Sequence, residues 1–321
     1  MNPTNPIPVA STALPARTSP FVVAVTATFR RPAEIAALLA SLATIPRYLG
    51  GVVLVDNSGD PATEAAAEKS PLSVEYFYPG GNLGCGGGLN AGEKRALERF
   101  GDRLTHVWIL DDDCVVGPES LEILLQEIER AGAEAAHPMS VDAQGLLSWA
   151  PGLLDPVRAR AVRHALPPGD YLARFGDAST PFSWSQGIAL LITRRVLDEL
   201  GFHRTDYWVR GEDLELTLRI THRWAGIYVP KARVEHLPPA GSARPEVEYV
   251  RHAAMLQNIA YTSLRLRHGW RVAWTLPSNW LRFWRSSRFS AAALGEICRT
   301  IYYGALLGWP AGKTYGRSAP K

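Results

Sequence analysis

The stretch His106–Cys114, HVWILDDDC, sets two demands side by side: an apolar run that must be buried, and three consecutive carboxylates, Asp111, Asp112 and Asp113, that resist burial. Val107–Leu110 is β-branched, aromatic or aliphatic throughout, and a continuous apolar run of this length reads as a strand covered on both faces. The acids then stand where that strand leaves its sheet. In open α/β sheets, ligands bind outside the carboxyl ends of the strands. Neighbouring like charges repel unless a cation shares them, and hard oxygen donors suit Mg2+ or Mn2+. The same acids also read as a solvated turn ahead of a helix starting at Pro118, because carboxylates favour helix N-termini.

The flanking sequence repeats a strand–helix alternation. Phe21–Thr28, FVVAVTAT, reads as a buried strand, and Pro32 suits the first position of a helix whose Ile35, Leu38, Leu39 and Leu42 share one face. Val52–Val55 is a second strand ending in Asp56, Asn57, Ser58 and Gly59. An alanine-rich helix over Ala62–Lys69 returns the chain to a third near Val74–Tyr78. Beyond the acids, Leu121, Leu124, Leu125 and Ile128 restore helical spacing. The pattern predicts a doubly wound α/β sheet.

Other segments are less regular. Gly80–Gly92, GGNLGCGGGLNAG, reads as a loop, either a linker or a segment passing close to a ligand; it has neither GxGxxG nor GK[ST] spacing. Gly132–Pro181 has short strand-like pieces and proline breaks. Phe182–Thr193 resumes a strand pattern, and Arg194–Gly201 reads as a short helix closed by glycine. In Tyr207–Ile220 the apolar residues Leu214, Leu216, Leu218 and Ile220 alternate as in a strand, just after Glu212 and Asp213. His236 follows a strand-like Gly226–Val229; on its own a histidine there is a surface or core residue.

Composition narrows the class. With 321 residues, 46% apolar and 20% charged, the chain has room for one large α/β domain and an appendage. Three scattered cysteines point to a reducing compartment and away from disulfides or a zinc knuckle. No stretch is apolar for long enough to span a membrane, and residues 1–20, with five prolines and no signal-peptide pattern, read as a disordered lead-in. The net charge of +3 hides an imbalance: residues 241–321 hold 12 Lys plus Arg against 3 Glu, and five of the ten tryptophans. Such a segment fits an anionic membrane surface, a nucleic acid, or a helical appendage with a charged outer face.

Six motifs then occur in one order: VTATFRRP, VVLVDNSGD, NLGCGGGLNAG, WILDDDC, WVRGEDLELTLR and EHLPP. In this the chain resembles family 2 glycosyltransferases of the GT-A fold from about Phe21 to Pro239, and within them bacterial galactofuranosyl- and rhamnosyltransferases. The resemblance implies a GT-A domain over residues 21–240 and a basic, tryptophan-bearing helical region over 241–321. Tyr207–Ile220 becomes helical only on this ground. Thr26 and Arg30 match the first-strand motif at the nucleotide, Asp56 the acid that meets base or ribose, and Asn82, Gly84 and Asn90 the loop beneath nucleotide and donor sugar. Asp111 and Asp113 match metal ligands with Asp112 beside them, His236 a histidine completing a Mn2+ or Mg2+ site, and Asp213 the catalytic base of inverting members, with Glu212 as the alternative. Trp184 and Trp208 are candidates for stacking on acceptor sugars, or core aromatics.

The implied activity is metal-dependent, inverting sugar transfer from a UDP- or dTDP-sugar to a glycan or lipid-linked glycan acceptor in cell-envelope synthesis. It would occur in the cytoplasm, with peripheral membrane contact through 241–321. No nucleic-acid motif accompanies the basic charge, and a homo-oligomer is compatible with this reading. The rivals are a sugar nucleotidyltransferase, which would carry a glycine-rich phosphate loop where this chain has TFRRP, and a non-catalytic sugar-nucleotide- or glycan-binding module, against which the retained acids argue.

Overall fold

The computed structural model describes residues 19–149, 167–237, 245–266, 273 and 275–314. Most of the expected N-terminal lead-in, and Trp270 and Trp274 of the tail, lie outside these residues. β1 (Val22–Thr28), α1 (Pro32–Leu42), β2 (Leu49–Asp56), α2 (Pro61–Lys69) and β3 (Val74–Phe77) form two successive βαβ units with parallel pairing. α3 (Gly84–Phe100) then carries the chain back across the sheet, and β4 (His106–Leu110) pairs with the free edge of β1, also parallel. Next come β5 (Cys114–Val116), α4 (Ser120–Ala131), β6 (Ala135–Val141) and β7 (Leu147–Trp149). They are followed by α5 (Pro168–Phe175), β8 (Thr180–Phe182), β9 (Ala189–Thr193) and α6 (Arg194–Leu200). α7 (Glu212–Arg223) and β10 (Gly226–His236) complete the sheet, and α8 (Pro245–Arg265), α9 (Leu276–Ser286) and α10 (Ala291–Thr300) follow it.

The sheet runs β3-β2-β1-β4-β9-β6-β10-β5, with β7 added to β6 and β8 to β10. The chain moves outward from β1 through β2 to β3, then restarts on the opposite side of β1 at β4. The strand order therefore reverses beside β1, and the carboxyl ends of β1 and β4 stand at the switch point where open α/β sheets bind ligands. Alternate strand residues feed two cores. Val22, Ala24, Trp108 and Leu110 pack under α1 and α4, whereas Val23, Val25, Val107 and Ile109 pack under α3 and α7. Trp108 is fully buried and donates its indole N–H to the Ala189 carbonyl at 3.2 Å, so even this polar atom is satisfied.

Four expectations change. Most of the glycine-rich stretch is the start of α3, not a loop, because that helix lies too close to the sheet for side chains: a Cβ on Gly88 would stand 2.7 Å from the Ala27 Cβ, and one on Gly92 2.6 Å from Val25 Cγ1. Four glycines near a helix start oppose its formation by roughly 1 kcal/mol each, an amount that the packing of α3 on β1 and β2 offsets. Pro118 lies outside α4, which begins at Ser120, and the acids lead into β5 instead. The alternating leucines of α7 lie on a helix, as the resemblance implied. Their spacing misleads because Glu212, Glu215 and Thr217 share its buried surface. Finally, the strand near Gly226 runs for 11 residues and ends on His236 itself.

Candidate active site

The three aspartates sit where β4 ends, at the switch point beside β1. The Asp111 N–H donates to the Ile188 carbonyl at 2.9 Å, and the chain turns at once, with the Cys114 N–H returning to the Asp111 carbonyl at 3.3 Å. β5 then runs antiparallel to β10, which pairs Cys114 with His236. The Leu237 N–H closes this end by donating to the Asp113 carbonyl at 2.8 Å. Strand register therefore brings a distant histidine to the acids: His236 Nε2 lies 3.2 Å from Asp113 Oδ1 and 3.8 Å from Asp111 Oδ2. One ligand atom from each of Asp111, Asp113 and His236 falls within 4.8 Å of the others. Two carboxylate oxygens and one imidazole nitrogen form a donor set that fits Mn2+ or Mg2+.

Asp112 is differently engaged. Its Oδ2 accepts the Thr28 hydroxyl at 2.7 Å and its Oδ1 the Arg31 guanidinium at 2.7 Å; Arg31 also donates to Asp113 Oδ2 at 2.8 Å. This leaves Asp111 as the open member, with 40% of its side chain exposed. Burial of its surroundings and then the charge of Asp113 push Asp111 up to about 7. Burial alone would raise Asp113. The hydrogen bond and charge of His236, with Arg31, instead hold it below the usual carboxylate range. His236 rises in turn, its desolvation outweighed by Asp113 and Asp111.

A second acidic pair opens α7. Asp213 is half-buried, its Oδ2 accepting the Gly187 N–H at 3.2 Å and its Oδ1 the Leu214 N–H at 2.7 Å. Glu212 is buried beside α3, and burial followed by the charge of Asp213 pushes it up to about 7. Burial also raises Asp213, against those two backbone N–H groups. The two acidic centres meet through one short segment: Asp213 holds the N–H of Gly187, and the carbonyl of the next residue, Ile188, accepts the N–H of Asp111. Behind Glu212 lies a fully buried pair, with His203 Nδ1 2.7 Å from Glu93 Oε1.

The remaining expected residues take other places. Thr26 is buried within β1, and its hydroxyl has no partner among the described residues. Arg30 is exposed at φ +57°, with its N–H on the Ser58 hydroxyl. Asp56 is fully buried and organises its own turn, accepting from the Ser58 and Asp60 N–H groups and the Tyr76 hydroxyl. Asn82 is exposed and accepts the N–H of Gly84, which is buried against Trp208 at the start of α3. Asn90 lies inside α3 and donates to the His203 carbonyl at 2.6 Å. None of these six touches the aspartates. The residues that do, Thr28 and Arg31, stand one strand position beyond Thr26 on the same face and one residue beyond Arg30. The period of two along β1 was the available signal for Thr28, and nothing local singles out Arg31 from its neighbour. Trp184 and Trp208 are half-buried, and their indole nitrogens lack partners among the described residues.

Comparison with known proteins gives the same frame. Residues 23–160 match the family model described as Glycosyl transferase family 2. An N-acetylglucosaminyl-diphospho-decaprenol L-rhamnosyltransferase of Mycobacterium tuberculosis is 28% identical over 263 residues, 75% of this chain and 82% of that protein. Among solved structures, S. aureus TarS (residues 1–349) in complex with UDP-GlcNAc superposes with a TM-score of 0.61 at 14% identity, over 90% of this chain and 82% of that one. The mannosyltransferase PcManGT from Pyrobaculum calidifontis, in complex with GDP-Man and Mn2+, has a TM-score of 0.55 at 18% identity, over 90% and 81%.

Proposed function

We propose that this chain, which carries a family 2 glycosyltransferase domain on a GT-A fold, is an inverting, divalent-metal-dependent transferase of rhamnose or galactofuranose. The observation that carries the reading is the meeting of Asp111, Asp113 and His236 with Asp213 across Gly187–Ile188, at the switch point beside β1. In this reading Asp213 takes the proton of an acceptor hydroxyl. The oxygen forms a bond to the anomeric carbon from one side while the bond to the diphosphate oxygen breaks on the other, which inverts that carbon. Asp111, Asp113 and His236 would hold Mn2+ or Mg2+, which when bound neutralises charge on the departing diphosphate. Arg31, engaged with Asp112 and Asp113, offsets part of their charge and holds those carboxylates in place.

The relative whose name states rhamnosyl transfer to a decaprenyl-linked sugar supports dTDP-rhamnose as donor and a lipid-linked glycan as acceptor; the motif resemblance keeps UDP-galactofuranose as the second donor. We assign the tail a place against the inner face of the cell membrane. Its support is the basic charge of 241–321 together with exposed Leu264, Leu281, Phe289, Leu294 and Leu306. Among the described residues no helix is long and apolar enough to cross a membrane.

The test is a thermal-shift screen against UDP, dTDP, GDP and their sugars, with and without Mn2+. A ligand at a hundredfold excess over Kd stabilises the folded state by about 2.7 kcal/mol. A Mn2+-dependent shift with dTDP or its rhamnose conjugate is expected, and with UDP for the second donor. Silence with every nucleotide would overturn the reading, and pyrophosphate release from a nucleoside triphosphate would replace it with nucleotidyl transfer.

A further inference from the structure

The chain reaches Glu212 and Asp213 through a conformationally strained approach. Trp208 (φ +61°) and Arg210 (φ +57°) both occupy the left-handed region, and Gly211 follows at φ +109°. Non-glycine residues are uncommon there, and such backbone persists only where its surroundings over-determine it. The carbonyl of Gly211 then accepts the Glu215 N–H at 3.0 Å as the first turn of α7 forms. Whatever fixes 207–211 therefore fixes where that helix, and Asp213 with it, begins.

The fixing comes from the tail. Asn258, on α8, is fully buried, and its amide nitrogen donates to the carbonyls of Tyr207 at 2.9 Å, Arg210 at 2.8 Å and Val209 at 3.2 Å. Two hydrogens serve three acceptors, so one is shared. On the other side, Asn258 Oδ1 accepts the Ala311 N–H at 2.8 Å. The orientation of the amide follows, because the carbonyls can only accept and the Ala311 N–H can only donate. Few side chains can do both. A carboxylate cannot donate and an aliphatic group does neither, and the crossing lies close against the residue, since a Cβ on Gly211 would stand 3.1 Å from the Asn258 Cβ. One turn along α8, the Thr262 hydroxyl meets the Tyr207 hydroxyl at 2.7 Å and adds an outer tie.

We infer that Asn258 is a positioning residue: it holds the strained 207–211 crossing so that the carboxylate of Asp213 stands against Gly187 and beside the aspartate–histidine cluster. This rests on the reading of Asp213 as the base. The C-terminal helices are then part of the catalytic unit and not only an attachment to it.

The experiment uses the full chain and separates kcat from donor KM. Displacing a reacting group by about 1 Å can cost on the order of a hundredfold, so Asn258→Asp is expected to lower kcat by about tenfold to a hundredfold while donor KM stays within about twofold. Amides of 205–213 should exchange with deuterium faster than in the wild type. The control is Gln257→Ala. Gln257 is another fully buried amide on α8, and it ties the Trp309 carbonyl and Thr314 hydroxyl but not the crossing. That variant should lose thermal stability and keep its kcat. Equal kcat losses in the two variants, or an unchanged kcat in folded Asn258→Asp, would overturn the inference. If Asn258→Asp does not fold, Ala311→Pro replaces the anchoring N–H with a ring carbon set against Asn258 Oδ1, which displaces the amide without changing any residue of the crossing. Pro310 already has the ψ of 164° that a residue before proline adopts. A several-fold fall in kcat at constant KM is then expected, and an unchanged kcat refutes the inference. Absence of sugar transfer by the wild type would instead sink the transferase reading, while faster exchange over 205–213 would still show the clamp at work.

Discussion

Asp213 and Glu212 adjoin in sequence yet meet different surroundings, and this decides which of them suits proton removal. Asp213 is the more open and accepts two backbone N–H groups, whereas Glu212 is 6% exposed and pushed up to about 7 by burial and by its neighbour. Backbone N–H groups favour the charged form of Asp213, whereas burial favours the neutral form of Glu212. Asp213→Asn is expected to lower kcat by about 10² to 10⁴-fold with donor affinity kept, a range typical of general-base loss. Steady-state kinetics with Glu212→Gln alongside checks the assignment, which fails if the glutamate variant is the more damaged. His137 offers a test of stability. It is buried in β6, and burial pushes it down to about 4, against 6.5 for an ordinary histidine. Between those values the unfolded chain binds the extra proton, so this contribution is present above pH 6.5 and is lost as pH falls toward 4. It amounts to at most about 3 kcal/mol. Urea unfolding at pH 7.5 and 5 should show His137→Leu to be less pH-sensitive than the wild type; equal sensitivity in the two proteins would contradict the sign.

At the level of elements, the helix that resisted reading is the one on which the site leans. α3 hides its period because glycines occupy its sheet-facing positions, and absent side chains leave no apolar stripe to recognise. Gly92→Ala would set a methyl 2.6 Å from Val25 Cγ1 and 3.2 Å from Val55 Cγ2. We expect a loss of about 1–3 kcal/mol in denaturant unfolding, the usual cost of overpacking, whereas Gly101→Ala at its C-terminal end meets no neighbour and tests backbone strain alone. α7 misled for the converse reason, its inner surface being built from acids and a threonine as well as leucines. The strands announced themselves because β1, β2 and β4 are buried on both faces and each therefore carries a continuous apolar run. The aspartates were legible as a cluster, and the order of motifs supplied His236. The grip of Arg31, the buried Glu93–His203 pair and the reach of Asn258 are contacts between distant segments, and no local pattern encodes them.

For the whole molecule, apolar exposure is concentrated in one region. Among the described residues, eight of the eleven large hydrophobic side chains that stand most exposed lie between Leu264 and Trp309, in the segment that also carries the basic excess. Co-flotation with vesicles should rise with anionic lipid content and fall with salt, at about 1 kcal/mol per basic residue near the surface. Equal capture by neutral vesicles, or none, would remove the electrostatic part of that placement. The contact between Arg31 and the aspartates has a consequence for biosynthesis. A ribosome adds roughly 5–20 residues per second, and the two acids that Arg31 grips emerge 81 and 82 residues after it, well before His236 and the Asn258 helix exist. The nascent chain thus already holds a cation with which to neutralise its most repulsive cluster, so β4 can join β1 while the second half of the site is still being translated.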